Sequence, residues 1–177
     1  MNRNYNALIL KSVKITAGAI LAILFASCLN LKYSATAGII TILSIQNTKK
    51  ETIQTALARG EAFCCALLVS FLCYNFFGYT TAAFGIYLLV FTTLCLTMKW
   101  SSAIAMDSVL ITHFLAEKTM NIPMIANEIS LFLIGAGIGV LLNLSLRPKE
   151  NEWKDKMAEA DESIRSIIKR MAERIRT

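Results

Sequence analysis

The sequence predicts an all-α integral membrane protein, a bundle of about six transmembrane helices followed by a cytoplasmic amphipathic helix. A hydrophobic fraction of 55% and a mean hydropathy of +0.54 exceed what a soluble domain can bury. The charges are also unevenly placed, since Ala62 to Met98 and Ile129 to Leu146 contain no charged side chain. The first of these runs is long enough for two membrane passes, and the second for one.

Charge divides the chain into a transmembrane module, residues 1–147, and a cytoplasmic helix, residues 148–177. Nine of the 18 basic and seven of the 12 acidic residues lie between Arg147 and the C-terminus. Apolar residues recur there at three- and four-residue intervals, which is typical of an amphipathic helix. They are Trp153, Met157, Ile164, Ile168, Met171 and Ile175. Such a helix lies on lipid headgroups, packs on the cytoplasmic loops or pairs with a copy of itself, and its mixed charge favours the last two.

The first two predicted spans are Ile15 to Leu29 and Ser34 to Gln46. A cleavable signal peptide is the alternative for the first, but the spans that follow favour a retained helix. Gly18, Ala22 and Ala26 repeat at four-residue spacing, which places small residues on one face where a second helix can approach closely. The second span is short and rich in hydroxyl groups, so we expect it to contact protein or water more than lipid.

The remaining spans follow a basic segment, Thr48 to Arg59, that has helical periodicity. In the last span Gly135 and Gly139 form a GxxxG pair, for which helix packing is the stronger interpretation. The predicted bounds of the third to sixth spans are Gly60 to Phe77, Thr81 to Met98, Ala103 to Ala116 and Pro123 to Leu146.

The distribution of basic residues predicts that both termini are cytoplasmic. With the N-terminus inside, the outer turns hold only Lys32 and Lys118. The cytoplasmic ends hold seven basic residues before the tail is added: Arg3, Lys11, Lys14, Lys49, Lys50, Arg59 and Lys99. This asymmetry is the one that membrane proteins show.

Three ionisable residues, Asp107, His113 and Glu128, lie within predicted spans and are candidates for function, because charge at membrane depth is costly. His113 suits a proton-coupled step and has Glu117 four residues on, but it can equally be a hydrogen-bonded residue near the outer interface. Asp107 is expected to pair with Lys99 or Arg59 at the cytoplasmic interface. Glu128 is a candidate too, although it can simply complement the dipole of the sixth helix.

Further substrate-path candidates lie on the second span and at its cytoplasmic exit. Lys49, Lys50 and Arg59 can attract an anion or form interfacial ion pairs. Polar side chains that can line a route are Thr41, Ser44 and Gln46.

Several function classes are disfavoured by what the sequence contains. It has one histidine, no glycine-rich phosphate loop and no carboxylate pair at metal-binding spacing, so neither an enzyme nor a cofactor or metal site is expected. The five cysteines lie in apolar stretches without zinc-ligand spacing. Basic residues gather at the ends of apolar runs, which favours a membrane over nucleic acid as the partner.

Three segments resemble the aromatic acid exporter family, within the fusaric-acid-resistance-like superfamily. They are SATAGIITILSIQNTKK with the following TALAR, VLITHFLAE at Val109 to Glu117, and the NE and glycine-rich run from Asn127 to Asn143. The resemblance covers residues 1–147 and implies a six-helix bacterial inner-membrane module that exports aromatic carboxylic acids. It singles out Gly38, Gln46, Lys49, Lys50, Arg59, His113 and Glu128. Many members continue into a cytoplasmic domain, whereas this sequence has one amphipathic helix there.

The sequence therefore predicts an inner-membrane transporter of small organic acids, embedded in the bilayer. A six-helix module is small for a complete transporter, so a homo-oligomer is expected. The alternative is a non-transporting membrane scaffold whose C-terminal helix mediates oligomerisation or recruits a partner.

Overall fold

A computed structural model describes residues 2–45, 49–145, 157, 160–168 and 171, and everything described is helix, turn or loop. This confirms the all-α prediction. The chain divides into two compact units, Met1–Leu146 and Arg147–Thr177. The helices of the first unit are α1 (Asn2–Cys28), α2 (Ala35–Leu43), α3 (Lys49–Phe77), α4 (Thr81–Thr97), α5 (Ile104–Glu117) and α6 (Ile122–Ser145). In the second unit residues 160–168 are helical, and Trp153 and Ile175 lie outside the described residues.

Within the described part of the chain, three helices are long and apolar enough to cross a membrane: Ile9–Cys28 in α1, Ile53–Phe77 in α3 and Ile122–Leu144 in α6. Helix α4 is apolar but shorter, with 17 residues. Helix α2 has 9 residues and α5 has 14, which correspond to about 14 and 21 Å, against a hydrocarbon core of about 30 Å. The protein is a multi-pass membrane protein in which α2 and α5 are too short to cross the bilayer as straight helices.

Helix α3 joins two segments that the sequence analysis treated separately. The basic segment that ends at Arg59 and the apolar span that begins at Gly60 form one continuous helix of 29 residues. A single glycine in a helix interior costs only about 1 kcal/mol relative to alanine, so Gly60 does not end the helix.

Helix α2 packs between α1 and α6 at close range. A Cβ atom at Gly38 would lie 2.7 Å from Cγ1 of Ile23 and 3.1 Å from the carbonyl oxygen of Ala19, both on α1. On α6, Gly135 and Gly139 face α2 in the same way. The absence of side chains at these glycines is what allows the backbones to approach.

Two apolar clusters stabilise the bundle. One lies mainly between α3, α4 and α5 around Tyr87, Phe91 and Phe114, and the other includes Ala22, Ala26 and Ile40 among residues of α1, α2, α3, α5 and α6. Large apolar side chains also cover the outside, and Leu68, Leu89 and Leu141 are each about two-thirds exposed or more. An apolar exterior of this kind is what a lipid environment requires.

Candidate functional site

The buried His113 contacts three other helices or turns. Its Nδ1 lies 2.7 Å from Oε2 of Glu128 on α6, and its Nε2 lies 3.3 Å from Oγ1 of Thr36 on α2. Glu128 is fully buried and His113 is 7% exposed. The ring of Tyr33 stacks on the imidazole with centroids 4.0 Å apart. The single histidine therefore joins α5 to α6, to α2 and to the turn before α2.

Tyr33 reaches the imidazole because its backbone is left-handed, with φ 58°. For a bulky residue this conformation costs about 1–2 kcal/mol and persists only where the surroundings hold it. Here the phenol hydroxyl donates to Oε1 of Glu117 at 3.1 Å while the ring stacks on His113. The strained turn places an aromatic ring over the histidine.

The contacts continue from Tyr33 to the surface. Nζ of Lys32 lies 2.7 Å from Oε2 of Glu117. The backbone N–H of Lys32 donates to Oδ1 of Asn127 at 2.8 Å, and Nδ2 of Asn127 donates to Oε1 of Glu128 at 3.0 Å. We call this group the His113 network; its members are Lys32, Tyr33, Thr36, His113, Glu117, Asn127 and Glu128. A cavity of about 230 Å³ lies beside Lys32 and Asn127.

The structure corrects the roles expected for Glu117 and Glu128. Glu117 does not pair with His113, although the two are one helical turn apart, because the Glu117 carboxylate bonds to Lys32 and Tyr33 in the turn before α2. Glu128 is also more than a complement to the dipole of α6, since its side chain is buried against His113. In both cases a contact from another element replaces the local one.

Acidification is expected to loosen the Lys32–Glu117 contact. Hydrogen bonds from Lys32 and Tyr33 hold the pKa of Glu117 below its ordinary value of 4.5, and the bond to Glu117 raises the pKa of Lys32 above 10.5. Because the pKa of Glu117 is lower in the folded protein, this carboxylate stabilises the fold above pH 4.5. The stabilisation is lost as the pH falls through the pKa that Glu117 has in the folded protein. Because the pKa of Lys32 is higher in the folded protein, its ammonium group stabilises the fold below pH 10.5. This stabilisation is lost as the pH rises through the pKa that Lys32 has in the folded protein.

Amide hydrogen exchange in the turn before α2 measures this effect in purified protein. After correction for the intrinsic pH dependence of exchange, we expect constant protection factors between the two ordinary pKa values and lower protection factors once Glu117 is protonated. Glu117→Gln is the matched control and should abolish the acid dependence. An unchanged acid dependence in that variant would show that another group is responsible.

A second polar group lies toward the other end of α2. Arg59 of α3 is 5% exposed, and its Nη2 donates to the carbonyl of Leu43 at 2.9 Å. Its Nη1 donates to Oγ of Ser44 at 3.3 Å. A cation at a helix C-terminus is favoured by the helix dipole and by carbonyls that lack helical partners. Arg59 therefore caps the C-terminal end of α2.

Asp107 is fully buried near the start of α5, and neither carboxylate oxygen has a hydrogen-bond donor. The structure therefore contradicts the expected salt bridge to Lys99 or Arg59. Arg59 instead bonds to α2, and Lys99, in the left-handed turn before α5, forms no ion pair with Asp107. Nε of Arg59, the hydroxyl of Tyr87 and Oγ of Ser108 are also buried without a partner among the described residues.

Helix α2 carries three buried hydroxyl residues between these two groups. Thr36 contacts His113, Ser44 accepts from Arg59, and Thr41 donates to the carbonyls of Ala37 at 2.9 Å and Gly135 at 3.1 Å. The buried apolar residues nearest this stretch belong to one cluster and include Ile40, Met106, Leu110 and Leu131. The two polar groups are thus linked along α2 but separated by apolar packing.

The remaining candidates are placed as follows. Ala22 and Ala26 are fully buried in the α1 face, and a Cβ atom at Gly18 would collide with the side chain of Leu142 on α6. Lys49 and Lys50 are the first two residues of α3, and their side chains lie outside the described part. Gln46 also lies outside the described residues.

The sequence analysis did not select Tyr33, Asn127 or Tyr87 as site residues. Asn127 directly precedes Glu128, and Tyr33 lies in a short turn, so their positions offered a weak signal. The unpartnered hydroxyl of Tyr87 had no signal in the sequence, because its burial depends on how α4 packs against α5.

Comparison with known proteins places the first unit of the chain in a family. Residues 7–146 match the family model described as aromatic acid exporter family member 1. The chain is 36% identical over 134 residues to the uncharacterized protein YqjA of Bacillus subtilis (strain 168). That alignment covers 76% of this chain and 42% of the relative, so the chain spans less than half of the relative's length. No solved structure matches.

Proposed function

Because the chain belongs to the aromatic acid exporter family, we propose that it exports small organic anions, aromatic carboxylates among them, across the bacterial inner membrane. In this proposal both termini are cytoplasmic, so Arg59 lies toward the cytoplasm and the His113 network toward the outside. The observation that carries the proposal is a buried guanidinium, Arg59, that is hydrogen-bonded to no carboxylate among the described residues.

The present partners of Arg59 can be replaced by an anion. The guanidinium bonds to a neutral hydroxyl and a neutral carbonyl, and its Nε has no acceptor. A carboxylate can accept two parallel bonds from a guanidinium, and such charge-assisted bonds are roughly twice as strong as neutral ones. An entering carboxylate therefore competes well with Ser44 for Arg59.

The surroundings of Arg59 suit an acid with an apolar body. Phe63 lies four residues after Arg59, so both side chains project from one face of α3. Its ring stacks on that of Phe132 with centroids 5.0 Å apart, and both rings are buried. A ligand ring can pack on this aromatic pair while its carboxylate bonds to Arg59. The hydroxyls of Ser44 and Thr41 would line the route beyond.

The His113 network would close the outer end of this route. It bonds α5, α6 and the start of α2 to one another through buried contacts. Passage of a substrate along α2 would require these contacts to open. Lys49 and Lys50, at the start of α3, would raise the anion concentration at the cytoplasmic mouth.

Neutralising Arg59 is expected to lower aromatic acid efflux at least tenfold. Arg59→Gln removes the charge but keeps an amide that can donate to Leu43, so a loss of efflux would reflect charge more than helix capping. Arg59→Lys should retain part of the activity. Efflux would be measured in cells that lack the gene and carry each variant, across a panel of aromatic acids.

Lys14→Ala is the matched control, because it removes one exposed basic residue from α1 and touches no buried group. Equal amounts of folded protein in the membrane are a precondition for comparing variants. Equal efflux with and without the gene across the panel would refute the export proposal. Wild-type efflux in Arg59→Gln would refute the role of Arg59.

A homo-oligomer remains part of the proposal, because a six-helix unit is small for a transporter. Chemical crosslinking in native membranes tests it, and purely monomeric protein would overturn it.

A further inference from the structure

We infer that Asp107 is the proton-binding residue of this bundle, and that its proton decides whether Arg59 bonds to α2 or to Asp107. The inference starts from a carboxyl group that is fully buried and has no donor at either oxygen. In this it differs from the other fully buried carboxyl, Glu128, which bonds to His113 and Asn127.

The groups that face Asp107 come from two neighbouring helices. Arg59 of α3 and Tyr87 and Cys95 of α4 lie close enough to interact with it electrostatically. Helix α2, which also packs against α5, has no titratable side chain within Ala35–Leu43. Arg59 is therefore the one cation among the described residues that can neutralise an ionised Asp107.

An ionised Asp107 does not suit the arrangement that the structure has. A buried carboxylate without a hydrogen bond or an ion pair costs several kcal/mol. A protonated carboxyl is neutral, and it can donate one bond and accept others. Two hydroxyl groups lie near it: Tyr87 of α4 interacts electrostatically with Asp107, and Ser108 is the next residue in the chain. The geometry therefore corresponds to the protonated form.

Loss of the proton would change the partner of Arg59. The ionised carboxylate offers the guanidinium a charged acceptor, whereas Leu43 and Ser44 offer neutral ones. Since charge-assisted bonds are the stronger, Arg59 would leave α2 for Asp107. The C-terminal end of α2 would then lose the cation that caps it. One proton, taken from water, thus switches Arg59 between two helices.

This switch also links the proton to the anion, a step that rests on the proposed function of Arg59. With Asp107 protonated, Arg59 is free to bind a carboxylate. With Asp107 ionised, Asp107 and the substrate compete for the same guanidinium. Anion binding therefore favours protonation of Asp107, and the two ligands bind together.

Infrared difference spectroscopy on purified protein in lipid vesicles tests the proton site without any transport measurement. We expect a carbonyl band of a protonated carboxyl group at neutral pH in the wild type, and its loss in Asp107→Asn. The exposed Glu61→Gln and the buried Glu128→Gln variants are controls that should retain the Asp107 band. An identical spectrum in wild type and Asp107→Asn would overturn the inference.

Proton uptake on addition of benzoate, followed with a pH indicator in weak buffer, tests the linkage. At a pH high enough for the Asp107 band to be partly lost, the wild type should take up protons as benzoate binds, whereas Asp107→Asn should bind benzoate without uptake. Equal uptake in both proteins would overturn the linkage. If benzoate binds to neither protein, the anion site at Arg59 fails, and the infrared band still supports or refutes the proton site.

Discussion

Gly135→Val is expected to destabilise the bundle by about 3 kcal/mol or more, because the substitution separates α6 from α2. A Cβ atom at Gly135 would lie 2.6 Å from Cβ of Ile40 and 2.7 Å from the carbonyl oxygen of Ala37. Both neighbours are close to or part of the α2 backbone, so they cannot move aside as a flexible side-chain end can. Accommodation requires a shift of α2, which carries Thr36, Thr41 and Ser44.

Gly137→Val is the matched control, since it is the same change on the same helix and no atom lies within 4 Å of the new Cβ position. Unfolding of both purified variants in mixed detergent micelles would give the difference in free energy. The Gly137 variant should lie close to wild type, within about 0.5 kcal/mol. Equal stability of the two variants would show that α2 and α6 do not depend on this close approach.

Glu128→Ala is expected to cost about 1–3 kcal/mol for each buried donor that loses its acceptor. The substitution leaves Nδ1 of His113 and Nδ2 of Asn127 without the acceptors that they contact at 2.7 and 3.0 Å. Glu117→Ala removes a carboxylate from the same network, but at a position where the side chains of the pair are 59% and 28% exposed. A surface pair of that kind contributes about 0–1 kcal/mol.

A double-mutant cycle with His113→Ala and Glu128→Ala separates the pair from its surroundings. The two effects should be strongly non-additive, because the second removal eliminates the partner that the first leaves unpaired. The unfolding free energies of the four proteins provide the measurement. Simple additivity would mean that His113 and Glu128 act independently, in conflict with their 2.7 Å contact.

Much of the architecture could be predicted from the sequence, because membrane solvation acts on long runs of residues. Uncharged runs and turn residues located the six helices described in the first unit, and the small residues of α1 and α6 pointed to close packing. The length of α5 was predicted well, since Ala103 to Ala116 and the observed Ile104–Glu117 each contain 14 residues. The length of α2 was harder to predict, because the predicted span, Ser34 to Gln46, begins before and ends after the helix Ala35–Leu43.

The site was less predictable, because its contacts come from distant parts of the chain. Asp107, His113 and Glu128 could be selected because an ionisable residue at membrane depth is costly unless it has a partner or a function. The partners of these residues were not predicted, because sequence spacing favours neighbours one helical turn away, such as Glu117 for His113. The left-handed backbone of Tyr33 and the isolation of Asp107 both depend on tertiary packing.

The packing of the two short helices relates the halves of the bundle to each other. Helix α2 lies against α1 and α6, and α5 lies against α4 and α3. If α1, α2 and α3 are renamed α4, α5 and α6, and the reverse, the same pairs of helices are in contact. Each half contains three helices, with the short one in the middle. Arg59 on α3 and Glu128 on α6 both bond to the short helix before them. The first half thus presents a guanidinium, and the second a carboxyl group, at matching places in the pattern of helix contacts.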